Sequence, residues 1–201
     1  MTAMRGAVTL VMLATVGLAG CVGAEDEVYA RDGHSMTGLM SDCQPGQVGR
    51  LSGGIYALPR ETRALPVFTA LSPIGAVCMD RLAVRERNGP PGFPGVTSRF
   101  EWFGVDLEGS FIVAEPGPYQ FRLTVDDGAK LIIDGADVID NDGYHPTRSA
   151  EAGVVLTAGV HHIHVPYWQG PGPLALELSV ARPGEPYRIF HLDRPLGARA
   201  P

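Results

Sequence analysis

The 201-residue chain is short of cysteine, of charge and of long helical runs, and each shortage removes a class of protein. Three cysteines are present, with no CxxC pair and no cysteine–histidine spacing of a zinc finger, so a small zinc module of that kind is excluded. Charged residues make up 19% of the chain, with 22 acidic against 16 basic side chains and a formal charge of −6. A chain without a basic excess is not expected to bind nucleic acid electrostatically. No apolar periodicity of helical type runs beyond about three turns, which argues against a helical bundle. There is no GxSxG elbow, HExxH pair, P-loop or dinucleotide fingerprint, so the chain is not expected to be an enzyme. Paired carboxylates for glycoside hydrolysis would be set by the fold, not by spacing, so a hydrolase stands as the remote alternative.

Charge is missing altogether between Gly6 and Ala24. Arg5 precedes an apolar run, Gly6 to Gly20, that ends in small residues, the pattern of a secretory signal. Leu18-Ala19-Gly20-Cys21 resembles the bacterial lipobox, which implies cleavage before Cys21 and lipidation of its thiol. A short transmembrane anchor and a plain signal peptide are the competing readings. Cleavage would remove Arg5 and no acidic residue, leaving a more acidic chain held in the membrane by several acyl chains. Val22 and Gly23 follow the cysteine where an aspartate would suggest inner-membrane retention, which favours the outer membrane of the cell envelope. In an oxidising compartment Cys43 and Cys78 form an even pair and read as a disulfide, with two separate buried thiols as the alternative.

What the chain has in excess is turn residues: 26 glycines and 17 prolines, roughly twice the average share. The apolar fraction, 45%, is that of a folded protein. Residues 21–47 show little periodicity and read as a tether. From Leu51 onward short strand-like runs alternate with turns. Gly54 to Leu58 and Ala76 to Val84 are two such runs, and the Pro-rich stretch from Arg87 to Gly95 is a loop. Phe100 to Val113 reads as one long or broken strand. Tyr119, Phe121, Leu123 and Val125 alternate with polar residues, as in a strand buried on one face. Asp134-Gly135 and Asp142-Gly143 are turn dipeptides. Val154 to Leu156, Val160 to Val165 and Leu174 to Val180 complete the set. The fold class is all-β, an antiparallel β-sandwich or barrel-like single domain.

Pro116-Gly117-Pro118-Tyr119-Gln120-Phe121, then Val125-Asp126-Asp127-Gly128-Ala129-Lys130-Leu131-Ile132-Ile133-Asp134-Gly135, occur in fixed order. Val138 to Asn141, Leu156 to Gly159, and His161 with Ile163, Val165 and Tyr167 follow. This order resembles the anthrax-protective-antigen-type domain, a β-sandwich module of bacterial toxins, yeast flocculins and some glycosidases. The resemblance covers about Leu51 to Ala181 and is strongest from Phe100. The organisation is therefore a signal peptide over 1–20, a lipid-anchored tether over 21–47, a sandwich over 48–192 and a tail over 193–201.

Adjacent side chains on a strand point to opposite faces, so Asp126 and Asp127 can share a cation only if the backbone departs from its pleat. In sugar-binding members of the resembled family a cis peptide joins these aspartates, and both carboxylates hold one calcium ion. The resemblance thus implies calcium at Asp126 and Asp127. The late loop, residues 167–173, lacks the family's asparagine, so Gln169 or a backbone carbonyl must substitute. The alternative is that Asp126-Asp127-Gly128 caps a turn and pairs with Arg or Lys. Trp168, at the mouth of a Pro/Gly loop, is expected to be exposed and to contact ligand, whereas Trp102 is expected in the core. Asp140 to Gly143 has the start of a calcium loop without its later ligands and reads as a turn. His162 and His164 share a strand face, but no third metal ligand accompanies them. The expectation is a non-catalytic envelope lipoprotein binding carbohydrate. A structural module contacting another envelope protein is the rival reading.

Overall fold

The computed structural model of the chain describes residues 47–88 and 97–198. Eleven strands are found there: β1 (Leu51–Ala57), β2 (Gly75–Met79), β3 (Ala83–Arg87), β4 (Phe103–Val113), β5 (Gly117–Asp126), β6 (Gly128–Ile133), β7 (Ala136–Asn141), β8 (Arg148–Leu156), β9 (Gly159–Gln169), β10 (Leu174–Ala181) and β11 (Arg188–Ile189). One sheet has the order β2-β1-β4-β9-β6-β7 and the other β11-β10-β5-β8, with β3 also paired to β10. The strand pairs within both sheets are antiparallel. The protein is an all-β antiparallel sandwich.

Period-two patterning builds the interior. On β4 the side chains of Phe103, Val105, Leu107, Phe111 and Val113 are buried, and on β5 those of Tyr119, Phe121, Leu123 and Val125. The neighbouring rows in the two sheets come from Ile163, Val165 and Tyr167 of β9, beside β4, and Leu174, Leu176, Leu178 and Val180 of β10, beside β5. Each such side chain contributes roughly 1.5–3 kcal/mol on burial. Phe190 joins the two sheets: its ring stands edge-on to Phe111 at 5.1 Å and to Phe121 at 5.6 Å.

The structure changes several expectations. The run Ala76 to Val84 is two strands in different sheets, because Asp80, Arg81 and Leu82 carry the chain across the sandwich edge. Leu82 is buried there, and its carbonyl accepts from Leu178 N–H at 3.1 Å. Trp102 is not a core residue. At φ +56° it breaks the run before β4, and its half-exposed ring lies under the Arg63 guanidinium, 5.6 Å from the centroid. The strand ending at Leu156 starts at Arg148, not Val154. Its inward positions before Leu156, at Ala150, Ala152 and Val154, are only half-buried, so the apolar signal fades. The segment after residue 192 is no loose tail as far as it is described. Leu196 is buried, and its backbone bonds to both Ile112 and Ala114. Asp134-Gly135, at φ +50° and +80°, forms the two-residue turn between β6 and β7.

Cys21 and Cys43 lie outside the described residues, as do the signal, almost all of the tether and most of the Pro-rich loop. Cys78 sits half-buried on β2, opposite Ser52 of β1.

Candidate functional site

The apolar alternation of β5 ends at Val125, and β6 begins at Gly128. Between them Asp126 and Asp127 are joined by a cis peptide. Both side chains border one cavity of about 340 Å³, together with Glu86, Tyr144, His145, Thr147 and Pro171. The aspartates are 3% and 2% exposed, an unusual degree of burial for two neighbouring carboxylates.

Their direct partners are hydrogen-bond donors, not Arg or Lys. Thr147 Oγ1 donates to Asp126 Oδ2 at 3.0 Å, and Gly170 N–H donates to Asp127 Oδ2 at 2.6 Å. Among the described residues neither carboxylate forms an ion pair with Arg or Lys, so a turn cap salt-bridged in that way is not what is found. Burial pushes Asp127 up to about 6, and the charge of Asp126 adds to it against the opposing Gly170 N–H. Asp126 is raised as well, by burial first and by the Glu86 charge, while the Thr147 bonds pull the other way. Two hard oxygen donors, held close together and reluctant to ionise, suit a hard divalent cation such as calcium.

Glycine makes the close packing around the pair possible. A Cβ on Gly128 would come within 2.5 Å of both Asp142 Oδ1 and Trp168 Nε1, and one on Gly170 within 2.9 Å of Asp127 Oδ2. The Tyr167 hydroxyl lies 2.7 Å from the Asp126 carbonyl oxygen and 2.6 Å from Gln169 Oε1, and its one proton serves one of them at a time. Burial, then the charges of Asp127 and Asp126, holds that hydroxyl well above its ordinary pKa.

Trp168 does not have the expected exposure, and Gln169 is turned away from the cavity. Trp168 is fully buried. Its Nε1–H donates to Asp142 Oδ1 at 2.9 Å, and its ring stacks at 6.4 Å beneath Tyr144. The strand continues through the start of the Pro/Gly loop and carries Trp168 inward, so its ring has no surface to offer a ligand. Gln169 is also fully buried. Besides facing Tyr167, it donates through Nε2 to the carbonyls of Gly170 (3.1 Å) and Pro173 (2.7 Å). Its side chain fixes the 170–173 loop and leaves no oxygen turned to the cavity. The exposed aromatic ring at the cavity is Tyr144, with the Arg63 guanidinium 4.9 Å from its centroid.

Sequence reasoning missed Glu86, Tyr144, His145 and Thr147. The last three follow the Asp142-Gly143 turn, a usable local signal. Glu86 arrives from β3, which lies across β10 from β5, and had none. The Asp140-to-Gly143 stretch is a turn: Asp140 Oδ1 accepts from Asp142 N–H at 3.1 Å, and Lys130 Nζ lies 2.8 Å from Asp140 Oδ2. Asp142 Oδ1 also accepts from Gly143 N–H at 2.7 Å and Leu65 N–H at 3.0 Å. The histidines of β9 diverge. His161 pairs with Asp134 at 2.6 Å and His164 with Asp106 at 2.7 Å, while His162 is exposed.

Residues 94–193 match the PA14 domain family model. Among solved structures, the PA14 sugar-binding domain of an RTX adhesin aligns with 20% identity and a TM-score of 0.60, covering 72% of this chain and 96% of the adhesin domain. The PA14 domain of the MpAFP antifreeze protein aligns with 20% identity and a TM-score of 0.62, covering 76% and 92%. The epithelial adhesin 9 A domain of Candida glabrata, solved with Galβ1-3GlcNAc, aligns with 13% identity and a TM-score of 0.50, covering 73% and 87%. No curated protein sequence matches the chain. The described sandwich, the acidic pair after β5 and the matching segment agree: residues 94–193 form a PA14 domain, of the anthrax protective-antigen-like family.

Proposed function

We propose that the chain is a non-catalytic, lipid-anchored cell-envelope protein whose sandwich binds carbohydrate at the Asp126–Asp127 cavity. The observation that carries this reading is a pair of buried carboxylates beside a cavity, without a neighbouring Arg or Lys to neutralise them. Asp126 and Asp127 would hold calcium, which would supply coordination positions for vicinal sugar hydroxyls. Thr147 and Gly170 orient the two carboxylates, and Gln169 holds the loop that carries Gly170. Tyr144 offers ring surface to the C–H face of a sugar. About 340 Å³ lies in the range of small-ligand sites, on the order of 300–1,000 Å³. The resemblance to a PA14 sugar-binding domain and to an adhesin domain solved with Galβ1-3GlcNAc supports the same assignment.

The test is a glycan array probed with the full-length chain in detergent, once in calcium and once in chelator, beside the double variant Asp126→Asn, Asp127→Asn. We expect glycan signals in calcium that vanish in chelator and in the variant. Signals of equal strength in chelator would overturn the calcium role and leave the sugar role standing. A blank array under both conditions would overturn the sugar role in favour of contact with an envelope protein.

A further inference from the structure

A second cluster of metal-ligating side chains lies away from the cavity, where the crossing between β2 and β3 meets the chain after β11. Asp80, His191 and Asp193 place one ligand atom each within 4.8 Å of one another. His191 Nδ1 stands 3.8 Å from Asp193 Oδ1, too far for a hydrogen bond. It is also the one buried side-chain nitrogen or oxygen among the described residues that has no hydrogen-bond partner. This buried ring nitrogen beside two carboxylates has no hydrogen-bond partner, and a cation is a group that would satisfy all three at once.

The backbone holds the cluster together independently of its side chains. Leu192 N–H donates to the Asp80 carbonyl at 2.8 Å, and Arg81 and His191 form a bridge pair. Asp80 and the stretch 191–193 are thereby fixed against each other, so the three ligands need only side-chain rotation to close. Arg81 Nη1 lies 3.1 Å and 3.2 Å from the two Asp80 oxygens. That contact is exposed, and each carboxylate oxygen keeps a further lone pair.

We propose that Asp80, His191 and Asp193 bind a first-row divalent transition metal of the zinc class. One imidazole nitrogen with two carboxylate oxygens is a borderline donor set that suits zinc better than calcium, which prefers an all-oxygen shell. Tetrahedral zinc with bonds of about 2.0–2.2 Å needs ligand atoms about 3.4 Å apart, so the cluster must contract modestly. Three protein ligands leave a position for water. The ion would clamp the C-terminal segment onto the β2–β3 crossing.

The site is tested with cobalt(II) as a spectroscopic probe and zinc(II) as a competitor, added to the full-length chain carrying Asp126→Asn and Asp127→Asn so that the cavity pair contributes nothing. One equivalent of cobalt with visible ligand-field bands, displaced by zinc and accompanied by a higher melting temperature, is expected. His191→Ala should weaken binding about tenfold or more. Asp193→Asn, on a more exposed residue, should do the same without endangering the fold. Undiminished cobalt binding in both variants, or none in their parent, would overturn the proposal. Neither result bears on glycan binding at the cavity.

Discussion

Asp127 carries the sharpest electrostatic consequence of the fold. Burial, reinforced by Asp126, sets its folded pKa at about 6, above the value of about 4 for an unfolded carboxyl. The folded chain therefore binds this proton more tightly than the unfolded chain. Its contribution to stability is full below about pH 4 and is lost as pH rises to about 6. Other carboxylates, such as Asp134 and Asp140, are lowered by their partners and act oppositely, so the comparison must be made against a variant. In chelator, Asp127→Asn is expected to gain stability relative to the wild type between pH 4 and 6 and to hold a constant margin above. Calcium should erase that margin by favouring the ionised pair, with its effect on the wild type growing through the same window. Thermal melts of both proteins with and without calcium check this, and an equal calcium shift in Asp127→Asn would sink it. The adjacent aspartates were legible in the sequence as a candidate, but their burial and donors were not. Those depend on Thr147 and Gly170, 21 and 43 residues away.

Between β1 and β4 the pairing is so close that side chains are excluded at two positions. A Cβ on Gly53 would collide with the Asp106 carbonyl oxygen, and one on Gly109 with the Arg50 carbonyl oxygen. Both obstacles are backbone and cannot rotate away. Gly53→Ala should therefore cost about 1–3 kcal/mol or more in denaturant unfolding, by forcing β1 from its register on β4. Gly75→Ala, whose nearest obstacle is the movable tip of Ile55 at 3.3 Å, should cost clearly less. Equal costs would show that the close approach does not constrain the sheet. Strand identity was readable wherever one face is buried, as on β5, because alternation reports burial directly. It failed at β8, where Ala150, Ala152 and Val154 are only half-buried, and across Asp80 to Leu82, where one apolar run spans two sheets.

For the molecule as a whole, the sandwich would be tethered to the envelope through Cys21, a proposal that rests on the apolar leader and the four residues ending at that cysteine. Cys21→Ser should move the protein from the detergent phase to the aqueous phase in a cloud-point partition. A variant that stays with detergent would overturn lipid anchoring. The described C-terminal segment helps close the sandwich, since Leu196 packs in the core and bonds to the strand end at Ile112 and Ala114. Composition cannot show this, because a single leucine among Pro, Gly and Arg carries no periodicity.

By itself the sequence determined the all-β class, the turns at Asp134-Gly135 and Asp142-Gly143, and the adjacency of the two aspartates. Each of these is a local property, set by alternation, by backbone freedom or by adjacency. The tertiary structure decided which aromatic ring faces the cavity, that Gln169 is spent on its own loop, and that Asp80 meets His191 and Asp193. Those outcomes follow from strands paired across long sequence separations, where the direction of a side chain is fixed by its neighbours in space.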